Sequence, residues 1–188
     1  MRIPTGRMLL TPTDPLLAVD STTLHADLKA IGFIGEPLPN PSSAFLVGKN
    51  FLSLLIFAGC SVNLALEPTP AGGPFTHVRL LGPLPRPALL QGRNTRPPRC
   101  RVCRALLRSW AQDLLINHET LELSCPACGS TRPSWEWDWR DQAGYGQSFI
   151  TVEEVFPGEA EPTPTLLTAL EAITASPWRH FYIQDSIT

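Results

Sequence analysis

The sequence predicts an α+β fold: a mixed or largely antiparallel sheet with two or three helices, and a four-cysteine segment inserted within it. Three observations carry that expectation. Short apolar runs rich in strand formers occupy 44–81 and return at 149–183. Two stretches, 21–32 and 163–176, repeat apolar residues at helical spacing between a capping residue and a glycine or Ser-Pro stop. Between the strand-rich parts stand Cys100-x2-Cys103 and Cys125-x2-Cys128, two CxxC pairs with 21 residues between them.

Composition narrows the classes. A chain of 188 residues with 43% hydrophobic and 17% charged residues buries a real core and is not disordered. The formal charge of -2 argues against a protein that coats nucleic acid or an anionic membrane with its whole surface. Charge is nonetheless uneven: 93–108 holds Arg93, Arg96, Arg99, Arg101, Arg104 and Arg108 with no acid, while 150–188 holds six acids against Arg179 alone. The 20 prolines fall mostly between apolar runs and read as stiff connectors. Two lysines among many arginines and leucines suggest a GC-rich bacterial genome.

In chain order, residues 1–20 read as extended or irregular, with Met8-Leu9-Leu10 the only short strand candidate. Ser21 or Thr22 caps a helix carrying Leu24, Leu28 and Ile31, stopped by Gly32. Ala44–Val47 and Phe51–Ala58 read as strands joined by a Gly48-Lys49-Asn50 turn, the second covered on both faces because nearly every position is apolar. Val62–Leu66 and Phe75–Leu81 alternate as half-buried strands, and a proline-broken connector runs from Gly82 to Pro98. Beyond the cysteines, Phe149–Phe156 reads as a strand. Thr163 and Pro164 open a helix bearing Leu166, Leu167, Leu170 and Ile173, and Trp178–Ile183 is a last strand. These final 40 residues must pack on the strands of 44–81, since so short a piece rarely folds alone. Residues 1–92 and 146–188 are therefore expected to form one domain, with 93–145 an inserted subdomain.

Paired CxxC turns deliver two thiolates each to a tetrahedral ion, which makes Cys100, Cys103, Cys125 and Cys128 the candidate metal ligands. Pro126 and Gly129 suit the second turn; the first, CRVCR, lacks the glycine, which predicts a looser turn. Leu106, Leu107, Trp110, Leu114 and Leu115 give an amphipathic helix between the pairs, and Thr120–Ser124 a strand. On these cysteine pairs the segment resembles a zinc ribbon or zinc-knuckle module, a likeness of about 35 residues. It implies one structural zinc per chain, closed to water and substrate. Iron of the rubredoxin type ranks behind zinc, because only one turn has its glycine. A redox CxxC should open a helix beside a parallel strand, which is not expected here.

Arg96, Arg99, Arg101 and Arg104 have three readings: counter-charge to a zinc-thiolate centre of net -2, pairing with the acidic C-terminal third, or a patch for RNA or DNA. Trp135, Trp137 and Trp139 alternate, so a strand would place all three on one face, sealing the module against its parent domain or meeting a partner. Chemistry for catalysis is sparse. His25, His77, His118 and His180 are isolated, Glu153 and Glu154 would point to opposite faces, Gly144-Tyr145-Gly146 is too short for a phosphate loop, and Ser61 lacks nucleophile-elbow glycines. Lys49-Asn50-FLSLLIFAGCS resembles a lipoprotein signal ending at Cys60, but Phe57 and the helix pattern upstream favour a buried strand with a buried thiol. Cysteines in metal-type pairs suit a reducing cytoplasm. The expected protein is thus a cytoplasmic, non-membrane binding or accessory protein with a protein partner. The alternatives are a nucleic-acid-binding ribbon and an enzyme whose site lies in the α+β domain.

Overall fold

The computed structural model describes residues 3–39, 41, 43–58, 64–68 and 72–187. The elements follow as β1 (Ile3–Pro12), α1 (Ser21–Ala30), β2 (Ile34–Pro37), β3 (Ala44–Val47), α2 (Phe51–Leu54), β4 (Leu55–Phe57), β5 (Val78–Leu81), β6 (Ala88–Gln91), α3 (Trp110–Ile116), β7 (Glu122–Ser124), β8 (Thr131–Pro133), β9 (Ala143–Gly146), β10 (Phe149–Glu153), β11 (Ala160–Pro162), α4 (Pro164–Thr174) and β12 (Trp178–Ile187). The fold is α+β, and every strand pairing among the described residues is antiparallel.

A six-stranded sheet in the order β2-β3-β5-β10-β1-β12 forms the body, with three two-stranded sheets, β4-β11, β6-β9 and β7-β8, around it. The first strand is the main departure from expectation. Instead of a three-residue candidate, β1 spans ten residues, paired with β12 from Ile3↔Ile187 to Pro12↔Trp178 and with β10 from Arg7↔Glu153 to Leu10↔Ile150. Its prolines do not break it because Pro4 and Pro12 sit near the two ends, where a missing N–H costs little. β10 and β12 run parallel to each other with β1 between them, so the strand-helix-strand unit at the C-terminus is split by the N-terminus.

Both sheet faces are apolar. Met8, Leu10, Val78, Ile150, Val152 and Tyr182 meet α1 and α4 through Leu24, Leu28, Leu166 and Leu170. Leu9, Phe149, Phe181 and Ile183 form a second cluster on which Leu84 and Leu90 of the connector pack. The expected helices form where the caps put them. Asp20, rather than Ser21 or Thr22, caps α1 by accepting from Thr23 N–H (2.8 Å), and Thr163 caps α4 by accepting from Leu166 N–H (3.2 Å).

The run at 51–58 differs. Phe51–Leu54 is a helical turn, and only Leu55–Phe57 extends, pairing with β11 at the side of the molecule. Phe51, Leu54 and Leu55 are buried while Leu52 and Ile56 are half exposed, a helix-like spacing that an all-apolar run conceals. The partner of β3 is instead β2, and Gly48 permits it: a Cβ there would collide with the Gly32 carbonyl oxygen. Residues 64–66 have no regular structure, and positions 59–63, with Cys60, Ser61 and part of the expected Val62–Leu66 strand, lie outside the described residues. The 82–98 connector contains β6, which pairs with β9 from Ala88↔Gly146 to Gln91↔Ala143. Among the described residues no helix is long and apolar enough to cross a membrane.

Replacing the α4 cap, Thr163→Ala, is expected to lower unfolding free energy by about 1 kcal/mol, measured by urea denaturation, because the hydroxyl also donates to the Leu54 carbonyl at 3.0 Å.

Candidate metal centre

The two cysteine pairs fold as matching knuckles. Cys100 C=O accepts from Arg104 N–H and Cys100 N–H donates to Ala105 C=O; Cys125 repeats both bonds with Gly129 N–H and Ser130 C=O, each at 2.9 Å. Either turn closes with the residue after its second cysteine in the left-handed region, Arg104 at φ 64° and Gly129 at φ 71°. The missing glycine therefore does not loosen the first knuckle, contrary to expectation. Arg104 adopts the strained conformation, at a cost of roughly 1–2 kcal/mol. Its side chain is tied to Asp138 at 3.0 Å, and the chain beside it is bridged by reciprocal Arg99 and Asp138 backbone bonds at 3.0 Å.

This geometry draws the four sulfurs together. All four Sγ atoms lie within 4.8 Å of one another, with Cys100 to Cys128 at 3.8 Å and Cys103 to Cys125 at 3.6 Å. Disulfides would need about 2.05 Å, and the four thiols are free. Thiolates held tetrahedrally at about 2.3 Å from an ion stand about 3.8 Å apart, so the spacing suits a four-sulfur metal site. Cys100 and Cys125 face inward and are buried, while Cys103 and Cys128 are exposed.

Donors around the sulfurs favour thiolates. The Ser130 hydroxyl lies 3.2 Å from Cys128 Sγ and 3.5 Å from Cys100 Sγ. That hydroxyl and the Cys103 N–H bring the Cys100 thiol down to about 6, and the Ser130 hydroxyl and N–H lower Cys128 as well. Cys103 goes the other way, to about 11: the Ala105 N–H favours its thiolate, but desolvation and the three neighbouring sulfurs outweigh that bond. Without an ion, four crowded thiols cannot all ionise together; a cation resolves the conflict.

A core separate from those of the six-stranded sheet supports the knuckles. Cys100, Leu107, Leu123 and Cys125 join Trp137, Trp139, Ala143 and Tyr145 in one buried cluster. The segment expected as a helix from Leu106 is helical only over α3; Leu107 is buried ahead of it, and β7 and β8 form the hairpin that leads into and out of the second knuckle. The tryptophan alternation does not make a strand, because Ser134–Glu136 is a 3-10 turn whose carbonyl at Ser134 accepts from Trp139 Nε1–H (2.8 Å). Trp137 and Trp139 are buried and Trp135 is half-buried, stacked edge-on to Tyr145 at 6.2 Å. The three do not present a common exposed face.

Of the arginines singled out by sequence, Arg104 has its carboxylate, Arg96 and Arg101 are exposed, and Arg99 is half-buried with an unpartnered Nε. The C-terminal acids do not neutralise this group: Glu153 faces Arg7 at 3.8 Å and Arg79 at 3.9 Å, and Asp185 pairs with Arg7. Glu154, just past β10 at φ 60°, accepts from Thr5 at 2.7 Å, so Glu153 and Glu154 form no carboxylate pair. His118 lies outside the sulfur group.

Two residues that sequence reasoning missed, Arg140 and Arg179, line a cavity of about 230 Å³ together with Arg101, Asp138, Trp135 and Tyr145. Burial, and then the neighbouring Arg101 charge, lowers Arg179 from its ordinary value. The only signal at Arg179 is that it is the sole base among six acids of 150–188; nothing marks Arg140.

Neither family models, curated proteins nor solved structures give a match to this chain.

Gly129→Ala is expected to destabilise the protein by about 1 kcal/mol in denaturant unfolding, through the backbone alone, since nothing stands within 4 Å of an added Cβ. Arg104→Gly should change stability less, because relief of the left-handed strain offsets loss of the Asp138 pair.

Proposed function

We propose that Cys100, Cys103, Cys125 and Cys128 hold one zinc ion per chain in a closed structural site of the zinc-ribbon type, and that the protein is a cytoplasmic binding or accessory protein rather than an enzyme. The observation that carries this reading is the convergence of four Sγ atoms within 4.8 Å on two knuckles with the same backbone hydrogen bonds. Bound there, the ion would supply a cross-link between the knuckles and leave no coordination position open to substrate. Residues 93–145 are an inserted module in the domain made by 1–92 and 146–188. The support is that the six-stranded sheet takes β1, β2, β3 and β5 from before the cysteines and β10 and β12 from after them. Support for a non-catalytic role is the separation of Glu153 from Glu154, each engaged by its own partner.

Elemental analysis of purified protein is expected to find about one zinc per chain. Cys125→Ser should leave the metal substoichiometric and lower stability by about 4 kcal/mol or more, the range that loss of a metal reaches; a metal-free, fully stable protein would overturn the reading. Protons compete for the thiolates, so metal affinity should fall as pH falls from 8 to 5 in chelator competition. A pH-independent affinity would count against thiolate ligation.

A further inference from the structure

The cavity beside the knuckles has an imbalance of charge that nothing else in the fold explains. Three guanidinium groups, from Arg101, Arg140 and Arg179, border it with one carboxylate, Asp138. That carboxylate is already engaged, its Oδ2 at 3.0 Å from Arg104 and its Oδ1 accepting from Arg140 N–H at 3.1 Å. The Arg179 guanidinium has neither an ion pair nor a hydrogen bond among the described residues. It is held by packing alone, with Cζ 5.5 Å from the Phe181 ring centroid and Nη2 against Gly144, where an added Cβ would come within 2.5 Å. Arg140 makes one long bond, to the Pro97 carbonyl at 3.4 Å. An unpaired cation that is partly buried and set near a second one costs folding free energy. It also presents pre-oriented donors to an anion.

We propose that this cavity is a site for a nucleoside phosphate, with the phosphoryl group between Arg101, Arg140 and Arg179 and the base against the half-exposed ring of Trp135. Phosphate suits the site better than carboxylate. Each guanidinium offers a planar fork of donors, and a terminal phosphoryl group has three oxygens for the three forks, where a carboxylate has two. The lining's net positive charge matches a phosphate anion, and Trp135, braced edge-on by buried Tyr145, supplies the stacking surface that holds a base without reading its identity. A volume of about 230 Å³ accommodates a phosphate with a planar group beside it, not a folded peptide. The inference deepens the binding role proposed above and rests on it. The ligand is either a free nucleotide or one residue of a single strand, which share this chemistry.

The test titrates the full, metal-loaded protein with inorganic phosphate, 5′-AMP and hexa-adenylate, following tryptophan fluorescence and heat. AMP is expected to quench fluorescence and to bind more tightly than phosphate. Arg101→Gln and Arg179→Gln should each weaken AMP on the order of tenfold or more, the loss of a charge-assisted hydrogen bond. Tighter binding of hexa-adenylate than of AMP assigns a single strand, and equal binding a free nucleotide. Absence of AMP binding at millimolar concentration, equal affinity for phosphate and AMP, or unchanged affinity in Arg101→Gln would each overturn the proposal. Should Arg179→Gln fail to fold, the exposed Arg101→Gln decides. Zinc content and AMP recovery, measured on the same samples, separate the readings. Conversion of AMP would refute the non-enzymatic role and leave the site standing, and lost binding with zinc retained would refute the site alone.

Discussion

The pairing of β1 with β12 ties residues 3–12 to residues 178–187 over ten positions, and the remaining architecture depends on it. Because β1 also pairs with β10, it closes the sheet between the two C-terminal strands and gives both faces something to cover. One face receives α1 and α4; the other receives the connector through Leu84 and Leu90. The same pairing sets Thr11 opposite Arg179 and Pro12 opposite Trp178, which carries the end of β12 toward the cysteine segment. Ordering so distant a pair of segments costs loop entropy that only the buried apolar surface of the completed sheet can offset.

The cysteine segment has a buried core of its own, joined to the rest of the chain through β9 and β6. Its buried cluster combines Cys100 and Cys125 with Tyr145 and Ala143 of β9, and Leu89 of β6 packs against it. Since β9 leads within three residues into β10, the sulfur site is mechanically continuous with the main sheet. Each knuckle turns its first cysteine into that cluster and its second to solvent, which is how a small turn gives two ligands with one side anchored. A metal ion bound there would stabilise more than the loop that holds it, because Trp137, Trp139 and Tyr145 share the same packing.

Charge follows a similar division. Of the acids near the C-terminus, Glu153 and Asp185 pair with Arg7 and Arg79 of the sheet and not with the arginines of 93–108. Arg104 meets Asp138 locally, and Asp138 is thereby unavailable to Arg101 and Arg179. An excess of positive charge thus persists at the seam between knuckle and sheet although the whole chain is slightly acidic.

Features governed by neighbours in the chain were legible in the residues: the α+β class, the extent of α1 to within a residue of its cap, the Thr163 cap of α4 and the clustering of the four cysteines follow from spacing and local conformational preference. Features governed by distant partners were not. β1 carries no strong strand pattern and forms because β10 and β12 supply its hydrogen bonds; the apolar run at 51–58 splits into a helical turn and a short strand because β2, not it, takes the place beside β3. Arg104 in a left-handed turn and the meeting of Arg101 with Arg179 are equally invisible in one dimension, since both depend on which chain lies alongside. Sequence by itself determined the local turns and the chemistry of the sulfurs, because two cysteines three positions apart share one knuckle without distant help. Only the tertiary structure decided the strand order, the burial of the tryptophans and the uncompensated cations, because those depend on which separate segments of the chain come to lie side by side.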